Sequence, residues 1–277
     1  MELKEIMQKM QKERIRVFIG GEANTGIGVS RFGGVPDVPV DFEWPYYYSD
    51  GNYDDPTEKD RPLSFLVQVN CEELAKYDRE GVLPKSGMLS FFYEEVSAKW
   101  GFDPKDKGCA RVYYFERTEE LKPMEFPEDL GEESRHPKFG ITFEKQISYP
   151  NPSDIRLKYE LTDEQFDEAF NEYREEGLVH QLLGWPMVIQ GNMTSQCELI
   201  ERGYYLGDAS ETILEEDMEA AEKQSLDKWV MLFQMAEIYE DNCWLSFGDE
   251  GNLYFYITKE DLEKRNFENV WLIYQCG

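Results

Sequence analysis

Histidine occurs only twice in these 277 residues, at His136 and His180. That scarcity excludes any site needing three histidines and argues against a zinc hydrolase. A Ser-His-Asp or Cys-His arrangement would have to take its base from this pair. No G-x-S-x-G elbow stands ready to support one. The cysteines, Cys71, Cys109, Cys197, Cys243 and Cys276, are odd in number and include no C-x-x-C pair. Neither a disulfide framework nor a Cys-rich metal site is expected, and reduced thiols fit a cytoplasmic chain. No run approaches the ~18 apolar residues of a membrane span. Residues 1–17 lack a continuous apolar core, so no secretory signal is expected there. Positive charge is also short: 29 basic against 57 acidic side chains, a formal charge of −28. Phosphate backbones and anionic lipids repel such a surface, which excludes nucleic acid and membrane as partners. A basic protein would be attracted to it.

Large apolar side chains are plentiful. Hydrophobic residues make up 41% and aromatics 14%, enough for a packed core rather than disorder. Leu3, Ile6, Met7 and Met10 share one helical face. Strands are expected at residues 15–19, 63–69, 88–93, 112–115, 139–147, 229–235, 253–257 and 270–275. Residues 20–62 read mostly as loop. Asn70 with Glu73, and Thr162 with Gln165, have capping-box spacing. The second opens a helix with Phe166, Phe170 and Tyr173 on one face. A further acidic helix is expected from Ser210, and a short one from Thr258.

Two stretches repeat one order of elements. The first runs Gly34-Val35-Pro36, an apolar strand closing on Gln68, then Gly87 and an aromatic strand. The second runs Gly184-Trp185-Pro186, a strand closing on Gln234, then Gly251 and an aromatic strand. Gln68 precedes Gly87 by 19 positions and Gln234 precedes Gly251 by 17. Order and spacing together indicate duplication. The expected fold is α+β: two diverged copies of a β-rich unit, mainly antiparallel, with peripheral helices and a pseudo-two-fold axis. The chain reads as one compact domain over 1–277. Copy one spans about 14–116 and copy two about 180–277, and an acidic helical segment, 161–225, overlaps the start of copy two.

Motifs for small ligands are incomplete. The loop from Gly20 to Gly28 follows a strand, but Ile27 and Gly28 stand where a Walker loop needs Lys and Ser or Thr. Asp50-Gly51-Asn52-Tyr53-Asp54-Asp55 starts like a calcium loop, yet lacks the following Gly and the final Glu. No metal and no cofactor is therefore expected. Gly248-Asp249-Glu250-Gly251 is a tight acidic turn. Gln68 and Gln234, each ending an apolar strand, need both amide ends satisfied if buried. They either bridge backbone within the core or face a common cleft between the copies.

These blocks resemble the YwqG-like family of bacterial proteins. The likeness rests on Ser30-Arg31-Phe32-Gly33-Gly34-x-Pro36-x-x-Pro39, Trp44-Pro45, Pro62-Leu63-x-Phe65-Leu66-x-Gln68 and Gly87-x-Leu89-x-Phe91-Phe92. It continues through His180-x-Leu182-Leu183-Gly184-x-Pro186-x-x-x-Gln190, Leu232-Phe233-Gln234 and Gly248-Asp249-x-Gly251-x-Leu253-Tyr254-Phe255-x-Ile257. Asp261-Leu262 followed by Phe267 completes it. Met235-Ala236 stands where family members often carry acids. The resemblance implies an α+β fold and a bacterial cytoplasm, and no established activity. By analogy, such families include immunity-type proteins.

The leading expectation is a non-enzymatic binding protein whose acidic helices dock a basic partner, with Glu168, Glu172, Glu215 and Glu219 on the docking face. The alternative is an enzyme or small-ligand binder using the inter-copy cleft. Its candidate residues are Arg31, Gln68, His180, Gln190, Gln234 and Asp249.

Overall fold

The computed structural model describes residues 1–22, 26–173, 175–208, 212–240 and 242–277. One ten-stranded sheet forms its centre. The strands are β1 (Lys12–Ile19), β2 (Arg31–Phe32), β3 (Ser64–Asn70), β4 (Met88–Tyr93), β5 (Ala110–Phe115), β6 (Phe139–Ser148), β7 (His180–Leu182), β8 (Trp229–Ala236), β9 (Asn252–Thr258) and β10 (Trp271–Gln275). Their order is β10-β9-β8-β7-β1-β6-β2-β3-β4-β5, and every neighbouring pair is antiparallel.

Continuous apolar runs demand cover on both faces of a sheet. All six residues of β4 and all seven of β9 are buried. The sheet meets this demand by curling into a nearly closed, barrel-like layer. Phe91 on β4 reaches Phe233 on β8 and Phe255 on β9, with ring centroids 4.8 and 5.3 Å apart. On the other face, α3 (Met193–Glu201) packs on Trp229, Met231 and Tyr254. Trp44 and Leu130 pack on Phe65 and Phe92. The chain is thus a mixed, mostly antiparallel α+β protein.

The apolar stripe Leu3, Ile6, Met7 and Met10 is buried on α1 (Leu3–Met10). It meets Ala169 of α2 (Asp163–Glu172) and Leu226 of α4 (Glu215–Lys228). Thr162 forms the expected capping box with Gln165. The expected aromatic face of α2 is not its buried face. Ala169 alone is buried, Phe170 is exposed, and Phe166 lies under the Arg156 guanidinium at 4.3 Å. One short residue gives α2 its close approach to α1, leaving the rings at the rim. Asn70 caps a helix, Cys71–Leu74, through Glu72 N, but Glu73 instead accepts from Ser30 N, so no capping box forms. The helix expected from Ser210 begins after Leu214; Ser210 itself lies outside the described residues. Residues 20–62 are not all loop: Tyr46–Ser49 pairs with Lys59–Pro62. A second small hairpin joins Ile238–Glu240 to Cys243–Leu245. All five cysteines are free and buried. Among the described residues no helix is long and apolar enough to cross a membrane.

Reading outward from the central β1–β6 pair, β2, β3, β4 and β5 lie on one side and β7, β8, β9 and β10 on the other. The local details match. Arg31 pairs with Gln68 across β2 and β3, and Gln181 with Gln234 across β7 and β8. The register slips between Phe65 and Val67 against β4, and between Met231 and Phe233 against β9. Gln68 Oε1 accepts from Asp37 N at 2.9 Å, and its Nε2 donates to Val29 O at 2.8 Å. Gln234 Oε1 accepts from Met187 N at 2.8 Å, and its Nε2 donates to Val179 O at 3.0 Å. Gly33 and Leu183 both turn left-handed, φ 59 and 60°, and each donates its N–H to the slipped residue, Leu66 or Leu232. Both amides are fully buried. Replacing Gln68 or Gln234 with Leu removes the partners of one buried and one part-buried backbone group. Each change is expected to cost about 2–4 kcal/mol in urea unfolding. A loss below about 1 kcal/mol would show that these amides do not hold their loops.

Candidate functional site

The six residues expected to share a cleft are distributed differently. Arg31 and Gln68 meet at Asp37: Arg31 Nη1 reaches its Oδ2 at 2.7 Å and Gln68 Nε2 at 2.8 Å. His180 lies beside Gln234, and its Nδ1 accepts from Ala236 N at 3.1 Å. Burial pushes the His180 imidazole down to about 3, with Arg16 adding repulsion. Gln190 is exposed and donates from Nε2 to Cys276 O at 3.0 Å. Asp249 is exposed, and its carbonyl accepts from Gly277 N at 2.7 Å. Each glutamine is therefore committed to backbone inside its own side of the sheet.

The calcium-like tract is the tip of the Tyr46–Pro62 hairpin. There Asp55 pairs with Lys59 and Arg61, and Asp50 with Lys99. Among the described residues no group of three or more His, Cys, Asp and Glu side chains is placed to hold a metal ion. The glycine-rich loop 20–28 lies partly outside the described residues.

The second histidine joins a trio that spacing could not reveal. His136 Nε2 meets Glu95 Oε1 at 2.7 Å, and the Cys243 thiol lies near the ring. Burial alone would lower His136, but the Glu95 carboxylate and Cys243 outweigh it and raise it to about 10. A thiol, an imidazole and a carboxylate are the parts of a nucleophilic triad. Here Cys243 and His136 are both buried, so the trio presents no open thiol to a substrate.

An open site does exist between the two sides of the sheet. A recess of about 920 Å³ is walled by residues 80–85 from one side and by 183–185, 226–227, 229–231, 259, 262–263 and 265 from the other. The end of α1 and the start of β1 close it. Its size falls in the range of roughly 300–1,000 Å³ usual for small-molecule pockets. Trp185, Leu226, Trp229, Met231 and Leu262 supply apolar wall. Trp185 is fixed by a 2.5 Å bond from Nε1 to Met10 O and by Ser148 Oγ, which accepts from its N–H at 2.8 Å.

The charge of the lining inverts that of the chain. Lys9, Lys12, Lys85, Lys158, Lys259 and Arg265 face Glu13, Glu80, Asp227 and Glu263. Lys12 Nζ stands 3.6 Å from the Trp185 ring centre, a cation–π contact. Lys12 is exposed to the water of the recess, yet protein encloses it on most sides. That loss of bulk water, aided by Lys259 and Lys158 and opposed by Asp154 and Asp227, lowers its ammonium to about 8. The unfolded chain holds this proton up to about 10.5, so the charge opposes folding below pH 8 and that burden lifts as pH rises. Sequence reasoning flagged Trp185 only as part of Gly-x-Pro. Lys12 and Lys259 carried no signal, because 247 positions separate them.

The four acids of the expected docking face, Glu168, Glu172, Glu215 and Glu219, are all exposed on α2 and α4. Two acids from the same stretch turn inward instead. Glu175 binds Arg14 and Arg16, and Asp217 binds Arg202 at 2.6 Å.

A curled, mostly antiparallel sheet with a recess between its sides, lined by six basic and four acidic side chains, defines a mixed α+β protein. The chain belongs to the family described as "Domain of unknown function (DUF1963)", whose model matches residues 30–276. No curated protein matches it.

Proposed function

We propose that this chain is a non-catalytic binding protein that holds a small molecule in the recess between the two sides of its sheet. The carrying observation is the recess itself, built from both sides and opposite in charge to the rest of the molecule. The reading treats residues 1–277 as one domain formed by duplication, supported by the matched registers and glutamine bridges. The YwqG-like resemblance belongs to it, since its quoted blocks fall within the family match. So does a cytoplasmic setting, in keeping with five free cysteines. Both histidines are occupied by structural partners, which favours binding over catalysis.

A ligand that binds only the folded state raises stability by mass action. A protein-free cell extract limited to small molecules should therefore raise the melting temperature of the wild type by several degrees. Val82→Trp, which fills the recess from its rim, should abolish the shift while melting normally without extract. An extract that stabilises both proteins alike, or neither, would reject the reading.

The exposed acids of α2 and α4 favour a second reading, a docking face for a basic protein of immunity type. Replacing Glu168, Glu172, Glu215 and Glu219 with Gln should then reduce binding of polylysine-like partners at low salt. It should also leave stability equal or higher, because like charges at helical spacing repel. Unchanged binding would leave only a solvated face.

A further inference from the structure

We infer that the recess takes an anion: a small molecule carrying one carboxylate, sulfonate or phosphate head on an apolar, ring-containing body. This inference rests on the reading of the recess as a ligand site and adds the chemistry of what fills it. Basic side chains outnumber acids in the lining, six to four, whereas acids outnumber bases 57 to 29 in the whole chain. Such an inversion confined to one concavity focuses positive potential there.

The cations are not equivalent. Lys158 Nζ is engaged by Asp227 Oδ1 at 3.0 Å. Lys12 is different. Its ammonium rests on the face of Trp185, near Lys259 and Lys158, with Asp154 and Asp227 as the acids beside it. Asp154 is itself buried and hydrogen-bonded by Asn192 Nδ2 at 2.5 Å. Lys12 thus keeps its charge where surrounding protein and neighbouring cations both disfavour it. An arriving anion would offset the repulsion among these cations and form a charge-assisted hydrogen bond with the ammonium. Lys259, exposed at the start of the Lys259–Glu263 helix, lines the same recess and can join Lys12 on the head group. Trp185 lies beneath the Lys12 ammonium, and the edges of Trp229, Leu226 and Met231 contribute to the same lining. Aromatic wall of this kind accepts a flat apolar body by stacking and dispersion. Head and body are therefore read by different parts of one cavity.

The test uses two fluorescent probes of similar shape, anilinonaphthalene sulfonate and uncharged N-phenylnaphthylamine, with the full-length protein. The sulfonate is expected to bind at one site per chain, about tenfold more tightly than the neutral probe, as one modest charge-assisted contact would give. Lys12→Gln and, separately, Lys259→Gln should each weaken the sulfonate about five- to tenfold and leave the neutral probe within about twofold. Melting curves of both variants at pH 7 should match or exceed the wild type; Lys259→Gln, at an exposed site, covers any failure of Lys12→Gln to fold. Val82→Trp should exclude both probes. Equal binding of the two probes, or lysine variants without effect on the sulfonate, overturns the anion inference and leaves the recess a general apolar site. Probe binding untouched by Val82→Trp overturns the recess reading as well.

Discussion

Asp37→Ala is expected to destabilise the protein by about 3–5 kcal/mol, among the largest effects of any single substitution in this fold. Asp37 and Arg31 are both buried, 1% and 4% exposed. The Asp37 carboxylate accepts from Arg31 Nη1 at 2.7 Å, from Gly28 N at 2.8 Å and from Gln68 Nε2 at 2.8 Å. Burial pushes this carboxyl up, but the hydrogen bonds from Arg31, Gly28 and Gln68 outweigh it, and the net shift is downward. Its stabilisation is therefore present above the unfolded value near 3.8 and lost as pH falls through the lower folded value. Alanine would strand the guanidinium in the core without its counter-ion. The other side of the sheet holds a similar arrangement without charge. Gln181 pairs with Gln234 as Arg31 pairs with Gln68, and Met187 N donates to Gln234 as Asp37 N does to Gln68. Arg31 Nη2 donates to Val35 O at 2.5 Å, and Gln181 Nε2 donates to Trp185 O at 2.6 Å, four residues on in each case. The double variant Arg31→Gln with Asp37→Met imports that neutral pair. It should be at least about 2 kcal/mol more stable than the sum of the Arg31→Gln and Asp37→Met losses allows, a coupling that urea unfolding of wild type, both single variants and the double would read. Simple additivity of the two changes would refute the positional match, and with it the strongest support for duplication.

The two histidines are expected to tilt the pH dependence of stability in opposite directions. In the unfolded chain both titrate near 6.5. His180, held near 3 chiefly by burial, stays neutral in the fold while the unfolded state takes up a proton. Stability should therefore fall as pH drops from 6.5 towards 3, with a slope approaching ~1.4 kcal/mol per pH unit. His136, raised to about 10 by Glu95 and Cys243 against its burial, stays protonated in the fold. Its contribution is complete below 6.5 and is lost as pH rises through 10, with a similar limiting slope. Unfolding of His180→Gln between pH 5 and 6.5 should lack the acid slope. His136→Gln between pH 7 and 9.5 should lack the alkaline one. Other groups titrate in these windows, including Asp154, raised to about 6 by burial, and Lys12 near 8. They are common to wild type and variant and cancel in the difference. A variant that keeps its parent's slope would show that the histidine is not held in the charge state its partners dictate.

Sequence alone determined the elements whose cause is local. The α1 stripe, the Thr162 capping box, β4 and β9 follow from side-chain period, capping chemistry and aromatic runs, all of which act within a few residues. That Gln68 and Gln234 lie late in apolar strands was also legible, although each strand runs two residues further, to Asn70 and Ala236. Two-residue strands such as β2 were not, since a backbone pairing set by partners 35 and 37 residues away leaves no pattern in its own sequence. The tertiary structure alone decided what the glutamines do: their amides are used up by loop backbone that the turns at Gly33 and Leu183 bring within reach. It also decided where a ligand can enter. The recess gathers Lys12, Lys85, Trp185 and Lys259 only because the sheet curls and brings its two sides together. Charge summed along the chain gives −28, and no sum can report that a few cations from distant segments share one cavity.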